Sequence, residues 1–238
     1  MNMLIELPET LITDYDRTLI YLYKDTNLLT ELAEIMNKFY SKYFNVPASL
    51  LEADRDGYKL WYNLHTFALE KLSKDLADSI NKQAENIITN FELKVAKTMK
   101  LLPKVSEAIK ELSLIGIRLG IVSSNATSVV KYSMEDESVL DMFEYIAGRE
   151  YPFNPKLIKP SPLPINKAIN KMKANKNSTW YVGDDVVDMQ SASAAGVTAV
   201  GVCSGRHSEL ELRENGAMLV FESFANIPVF LKESKKDE

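Results

Sequence analysis

Beyond residue 100 the chain alternates short apolar runs with stretches in which apolar positions return every third or fourth residue. The runs at 116–123 (GIRLGIVS), 145–148, 180–184, 198–202 and 218–221 predict strands, and the spacing at 105–114, 164–172 and 187–195 predicts helices between them. Strands that trade places with helices in this way build a parallel sheet with helices against its faces. A further strand is expected at 11–13, carried by Leu11, Ile12 and Thr13 alone.

Residues 21–100 obey a different rule, with Gly57 as their one glycine and long runs of helical spacing. Leu28, Leu32, Ile35, Met36, Phe39 and Tyr43 trace one helix face, and Trp61, Leu64, Phe67, Ala68 and Leu72 trace another. The economical reading is an α/β core made of residues 1–20 and 101–238, interrupted by an all-α domain at 21–100. Pro103 suits the join, because proline ends an incoming helix and starts a new one.

Composition narrows the classes. The 238 residues carry a net charge of −5, against the clustered positive charge that nucleic acid or an anionic membrane surface would need. Cys203 is the sole cysteine, so no internal disulfide can form. No leader pattern opens the chain and no apolar run approaches the roughly 18 residues of a membrane span, so the expected location is the cytoplasm.

In a doubly wound sheet, ligands gather beyond the carboxyl ends of the strands, which makes the polar residues after each apolar run the candidates. Asp14, Tyr15 and Asp16 come after the first run, Ser123, Ser124 and Asn125 end the second, and Asp184, Asp185 and then Asp188 come after TWYVG. Lys159 stands in IKPSPLP, among Pro160, Pro162 and Pro164. Carboxylates two residues apart repel unless a cation or a shared proton separates them. Several such acids at one edge predict a hard cation, and Mg²⁺ suits because it takes a few carboxylates while keeping water positions open for a phosphate. A lysine and hydroxyl donors beside it would receive a dianionic group.

In this order, these residues resemble the four motifs of the haloacid dehalogenase superfamily of phosphohydrolases: Asp14-Tyr15-Asp16-Arg17-Thr18-Leu19, Ser123, Lys159-Pro160-Ser161-Pro162 and Gly183-Asp184-x-x-x-Asp188. The resemblance spans both flanks of the helical insert but not the insert itself. It implies a Rossmann-like core with a helical cap between the first and second motifs, as in the phosphoglycolate phosphatase-like branch. The activity it implies is a Mg²⁺-dependent phosphatase, acting on a small phosphorylated metabolite (phosphoglycolate- or sugar-phosphate-like) through an aspartyl-phosphate. Asp14 is then nucleophile and metal ligand. Asp16 is the acid and base, with its backbone carbonyl on the metal. Ser123 binds a phosphoryl oxygen, and Lys159 neutralises Asp14 and the phosphate. Asp184 ligates the metal, Asp188 holds Lys159 or a metal-bound water, and Thr18, Ser124 and Asn125 line the substrate pocket. A phosphomutase would share every one of these motifs, and a catalytically silent relative that binds a phosphate ligand or a partner is the reading from another class.

Single residues carry smaller expectations. Asp185 is read as the N-cap of the helix near Val187, Gly183 as the residue that lets the chain turn sharply, and His65 as a packed core histidine. Arg55 and Lys59 read as solvated charges that could meet a substrate carboxylate. Arg149 is expected to brace Lys159 or the acidic loop. Arg17 stands where the family commonly has glycine, which bears on the turn after Asp16.

Overall fold

The structure, a computed structural model, describes residues 6–25, 27–52, 56–152, 154 and 158–234. Strands β1 (Thr10–Thr13), β2 (Arg118–Ala126), β3 (Phe143–Arg149), β4 (Thr179–Gly183), β5 (Thr198–Val202) and β6 (Leu219–Phe221) form one sheet in the order β3-β2-β1-β4-β5-β6. Every neighbouring pair is parallel. The helices are α1 (Asn27–Tyr40), α2 (Ala48–Glu52), α3 (Gly57–Lys71), α4 (Lys74–Ala96), α5 (Val105–Leu114), α6 (Thr127–Asp136), α7 (Leu163–Met172), α8 (Val186–Ala195), α9 (Glu209–Glu214) and α10 (Ile227–Ser234).

β1 and β4 are buried at every residue, as strands in the middle of a parallel sheet must be. β1 is short and bracketed by Thr10 and Thr13, β-branched residues that fit a strand without adding an apolar signal. Ile12, Val122 and Tyr181 of the sheet pack with Ile165 and Ile169 of α7, Met189 and Ala192 of α8, and Leu212 of α9. β2 runs beyond the expected end at Ser123 to Ala126, with its register against β3 broken between Val122 and Ala126. A register break of this kind bends a strand and re-aims its residues.

The chain divides into two compact units, one holding Met1–Leu22, Ala96–Glu150 and Lys156–Glu238, the other Tyr23–Val95 with Tyr151–Pro155. Within the first unit, the departing and returning segments run side by side. Ile20 pairs with Leu101, and the Leu102 N–H donates to the Leu19 carbonyl at 2.8 Å.

The second unit contains α1 to α4. The buried face of α1 is Leu29, Leu32, Ala33, Met36, Phe39 and Tyr40. The expected face is thus rotated: Leu28 and Ile35 sit at its margin, and Tyr43 lies past the helix, 38% exposed. Two contacts explain the rotation. A Cβ on Gly57 of α3 would lie 2.6 Å from Leu32 Cβ and 2.8 Å from Ala33 N, so only glycine admits this approach. From α4, Asn81 Oδ1 accepts the Tyr40 hydroxyl at 2.8 Å. Asp56 caps α3 through the N–H groups of Tyr58 and Lys59. Asp54 and Arg55 lie outside the described residues. Among the described residues, no helix is long and apolar enough to cross a membrane.

Candidate active site

Because β1 lies between β2 and β4, its carboxyl end is flanked by the ends of both. The Asp14 N–H carries the ladder one residue further, donating to the Val182 carbonyl at 2.8 Å. Its carboxylate thereby meets two others: oxygens of Asp14, Asp184 and Asp188 lie within 4.8 Å of one another, and all three residues are buried. Lys159 reaches into the same place, with Nζ 2.7 Å from Asp14 Oδ1 and 2.6 Å from Asp188 Oδ1.

Each acid is held differently. Asp188 is engaged on both oxygens: Oδ1 receives Lys159 and, at 3.4 Å, the Tyr181 hydroxyl, while Oδ2 accepts the Asp185 N–H at 3.1 Å. Asp185 caps α8 through the Val187 N–H, as its sequence position suggests. Asp184 Oδ1 accepts the Thr18 hydroxyl at 3.3 Å, while its Oδ2 is buried with no hydrogen-bond partner. Asp14 Oδ1 faces the Lys159 ammonium as a close ion pair at 2.7 Å.

The electrostatics result from this crowding. Burial is the main force raising all three acids, since a low-dielectric surrounding disfavours charge. It pushes Asp184 up to about 9, with the charges of Asp188, Asp14 and Asp16 adding to the effect. Asp188 rises to about 6 and Asp14 rises as well, both partly offset by Lys159. For Lys159 burial works against its charge, but Asp14 and Asp188 outweigh it and hold the ammonium well above its ordinary range. With all three acids ionised, one ammonium would leave two negative charges unbalanced, which a divalent cation would cancel. The oxygen-only donor set and the orphaned Asp184 Oδ2 fit a hard cation of this kind. The surrounding chain leaves room for these acids: a Cβ at Gly205 would overlap Asp184 Oδ2, and one at Gly183 would overlap the Asp188 side chain. Gly183 therefore serves close approach, not the sharp turn expected of it.

The remaining sequence candidates fall around this cluster. The half-buried Asp16 stands apart from the three acids and accepts the Leu22 N–H at 2.8 Å. Burial raises its carboxyl, and the charge of Arg17 opposes that rise. Thr18 is fully buried with its hydroxyl on Asp184, a position from which it orients that acid. Ser123 Oγ accepts the Asn125 N–H at 3.1 Å, which engages an amide expected to face phosphate. None of Ser123, Ser124 and Asn125 caps α6, whose cap position is Ala126. Arg149 braces this loop, donating from Nη1 to the Ser124 carbonyl at 2.8 Å.

A family model described as haloacid dehalogenase-like hydrolase matches residues 59–202, which include Ser123, Lys159, Asp184 and Asp188. The chain belongs to the haloacid dehalogenase-like hydrolases. A phosphoglycolate phosphatase of Haemophilus influenzae is 25% identical over 228 residues, covering 90% of this chain and 94% of that protein. Among solved structures, a hydrolase from Pseudomonas syringae aligns with a TM-score of 0.65 at 17% identity, covering 94% of this chain and 98% of the other. A haloacid dehalogenase-superfamily hydrolase from Ehrlichia chaffeensis aligns with a TM-score of 0.57 at 20% identity, covering 97% and 98%. Both structures share the fold.

Against the usual pattern of the haloacid dehalogenase-like hydrolases, Arg17 is explained by its backbone. It has φ 60°, the left-handed region that glycine enters freely and other residues enter at a cost of about 1–2 kcal/mol. The loop after β5 meets this turn, since the Ser204 hydroxyl donates to the Arg17 carbonyl at 2.5 Å and Gly205 lies against Asp184. Ser204, Gly205 and Tyr181 are not among the sequence candidates. For the first two the signal is present in the chain: they lie just past the apolar run TAVGV, at the carboxyl end of a strand like the other site residues.

Proposed function

We propose that this protein is a Mg²⁺-dependent phosphatase that hydrolyses a small phosphorylated metabolite through an aspartyl-phosphate on Asp14. The observation that carries the proposal is the cluster of Asp14, Asp184, Asp188 and Lys159, three buried acids with a single ammonium against them. The name of the H. influenzae relative supports the phosphatase reading and a substrate of this size. The sole cysteine is in keeping with a cytoplasmic setting.

Asp14, Asp184 and the Asp16 backbone carbonyl would hold the ion, with Asp188 behind them. When bound, Mg²⁺ screens the phosphate charge and lets an anionic carboxylate approach phosphorus. The chain's own groups do the rest. An Asp14 oxygen attacks phosphorus, the bond from phosphorus to the leaving oxygen breaks, and the Asp16 carboxyl gives that oxygen its proton. The raised proton affinity of Asp16 suits it to this role. In the second half, the Asp16 carboxylate takes a proton from water as the water oxygen attacks phosphorus, and the bond to Asp14 breaks. Lys159 steadies the charge on Asp14, and the Ser123 hydroxyl, which donates to Asn125 Oδ1 at 3.2 Å, would turn that donor to a phosphoryl oxygen. The helical unit is read as the family's cap.

The test is phosphate release from a panel of small phosphate esters with Mg²⁺. Asp14→Asn is expected to lower turnover by about 10³-fold or more with circular dichroism unchanged, and excess chelator to abolish it in the wild type. Undiminished release in either case contradicts the proposal.

A further inference from the structure

Two guanidinium groups flank Asp16 without a role in the chemistry above. Arg17 is its direct neighbour in the chain, and Arg206 arrives from the loop after β5, which the Ser204 to Arg17 hydrogen bond ties to the same turn. The charges of both act on Asp16. Arg17 Nε is buried with no hydrogen-bond partner, and among the described residues neither guanidinium forms an ion pair with a carboxylate. The Arg17 head group lies against the Tyr21 ring, whose centroid is 5.9 Å from Cζ. Structure alone does not call for arginine here: at φ 60° glycine would hold the same turn without strain.

We infer that Arg17, assisted by Arg206, is a specificity-determining residue that receives an anionic substituent, a carboxylate or a second phosphate, carried by the leaving group of the substrate. The inference rests on the phosphatase reading, in which Asp16 faces the leaving oxygen, so a cation beside Asp16 stands on the leaving-group side. A partly desolvated guanidinium fork with open donors matches a planar carboxylate or a phosphate through paired, charge-assisted hydrogen bonds. A neutral alcohol offers nothing comparable. Burial of Nε strengthens the effect, because a donor already removed from water gains more from an anionic partner than an exposed one does.

Arg17→Gly removes the side chain on a backbone that suits glycine, and its effect on the Asp16 carboxyl acts on every ester alike. The probes are phosphoglycolate, ethylene glycol monophosphate as its neutral counterpart, and ethylene glycol bisphosphate, each assayed by phosphate release with Mg²⁺. The expected result is a rise in KM of about tenfold for phosphoglycolate, the bisphosphate or both, with KM for the neutral ester within about twofold of wild type and any change in kcat common to all three. Whichever anionic arm shifts identifies the group received. Arg17→Lys recovers part of the preference, and Arg206→Gln shifts it in the same direction by a smaller factor. Equal rises in KM on all three esters, or no rise on any, overturn the inference while the phosphatase reading stands. A wild-type protein that releases phosphate from none of them overturns both.

Discussion

Asp184 in the α/β unit and Glu92 in the helical unit are both carboxylates cut off from water, 3% and 0% exposed. Glu92 receives the Tyr58 hydroxyl at 2.5 Å, and that hydroxyl is in turn 2.6 Å from the hydroxyl of Tyr23. A buried acid supplied with donors in this way is part of the packing, and it fixes the helices that carry the partners. Asp184 has one weak donor, Thr18, an orphaned oxygen, and two more acids beside it. Nothing in folding favours that arrangement. A low-dielectric site crowded with like charges stores a cost that only a ligand relieves, which separates a site built for chemistry from a polar network built for structure.

The sharpest way to break the comparison is Asp184→Asn. With Mg²⁺ present, the wild type is expected to melt higher than in chelator, because an ion that binds only the folded state stabilises it. Asp184→Asn loses that increment and its phosphate release, yet in chelator it melts no lower than wild type. A marked loss of stability in chelator would place Asp184 with Glu92 as a structural acid. Tyr58→Phe gives the reverse outcome: a fall in melting temperature on the order of 5 °C from the lost charge-assisted hydrogen bond, whether or not metal is present.

The smallest effect concerns His65, buried between α3 and α4, where Asn81 Nδ2 donates to its carbonyl at 3.2 Å. Burial holds its imidazole below the ordinary value. The folded state therefore keeps it neutral where the unfolded chain would protonate it, so its contribution is full above about pH 6.5 and declines as pH falls below that. His65→Gln flattens that part of the stability profile measured by thermal melts between pH 7 and pH 5, and an unchanged slope would remove His65 from the account.

What was legible in the sequence was whatever a short run of residues states for itself. TWYVG with Asp184 after it, and GIRLGIV with Ser123 after it, declare a strand and its carboxyl end. Parallel pairing then brings those ends together whatever lies between them in the chain, even the whole of α1 to α4. The rotated face of α1 was not legible, because it is set by Gly57 and Asn81 on other helices. Nor was the bond from Thr18 to Asp184, which depends on side-chain reach across 166 positions of sequence. Arg17 was visible only as a departure from a pattern. Its left-handed backbone explains why glycine is usual there, and its unpaired head group is what makes the departure informative.

The most direct test of the central claim is to catch the phosphoryl group on the chain. Asp16→Asn is mixed with Mg²⁺ and an aryl phosphate labelled at phosphorus, whose leaving group needs no acid. The reaction is quenched in acid and the labelled peptides are mapped. The account predicts label accumulating on the peptide that carries Asp14, and none when Asp14→Asn is added. Phosphate released with no label on that peptide, or label on a different residue, would contradict it.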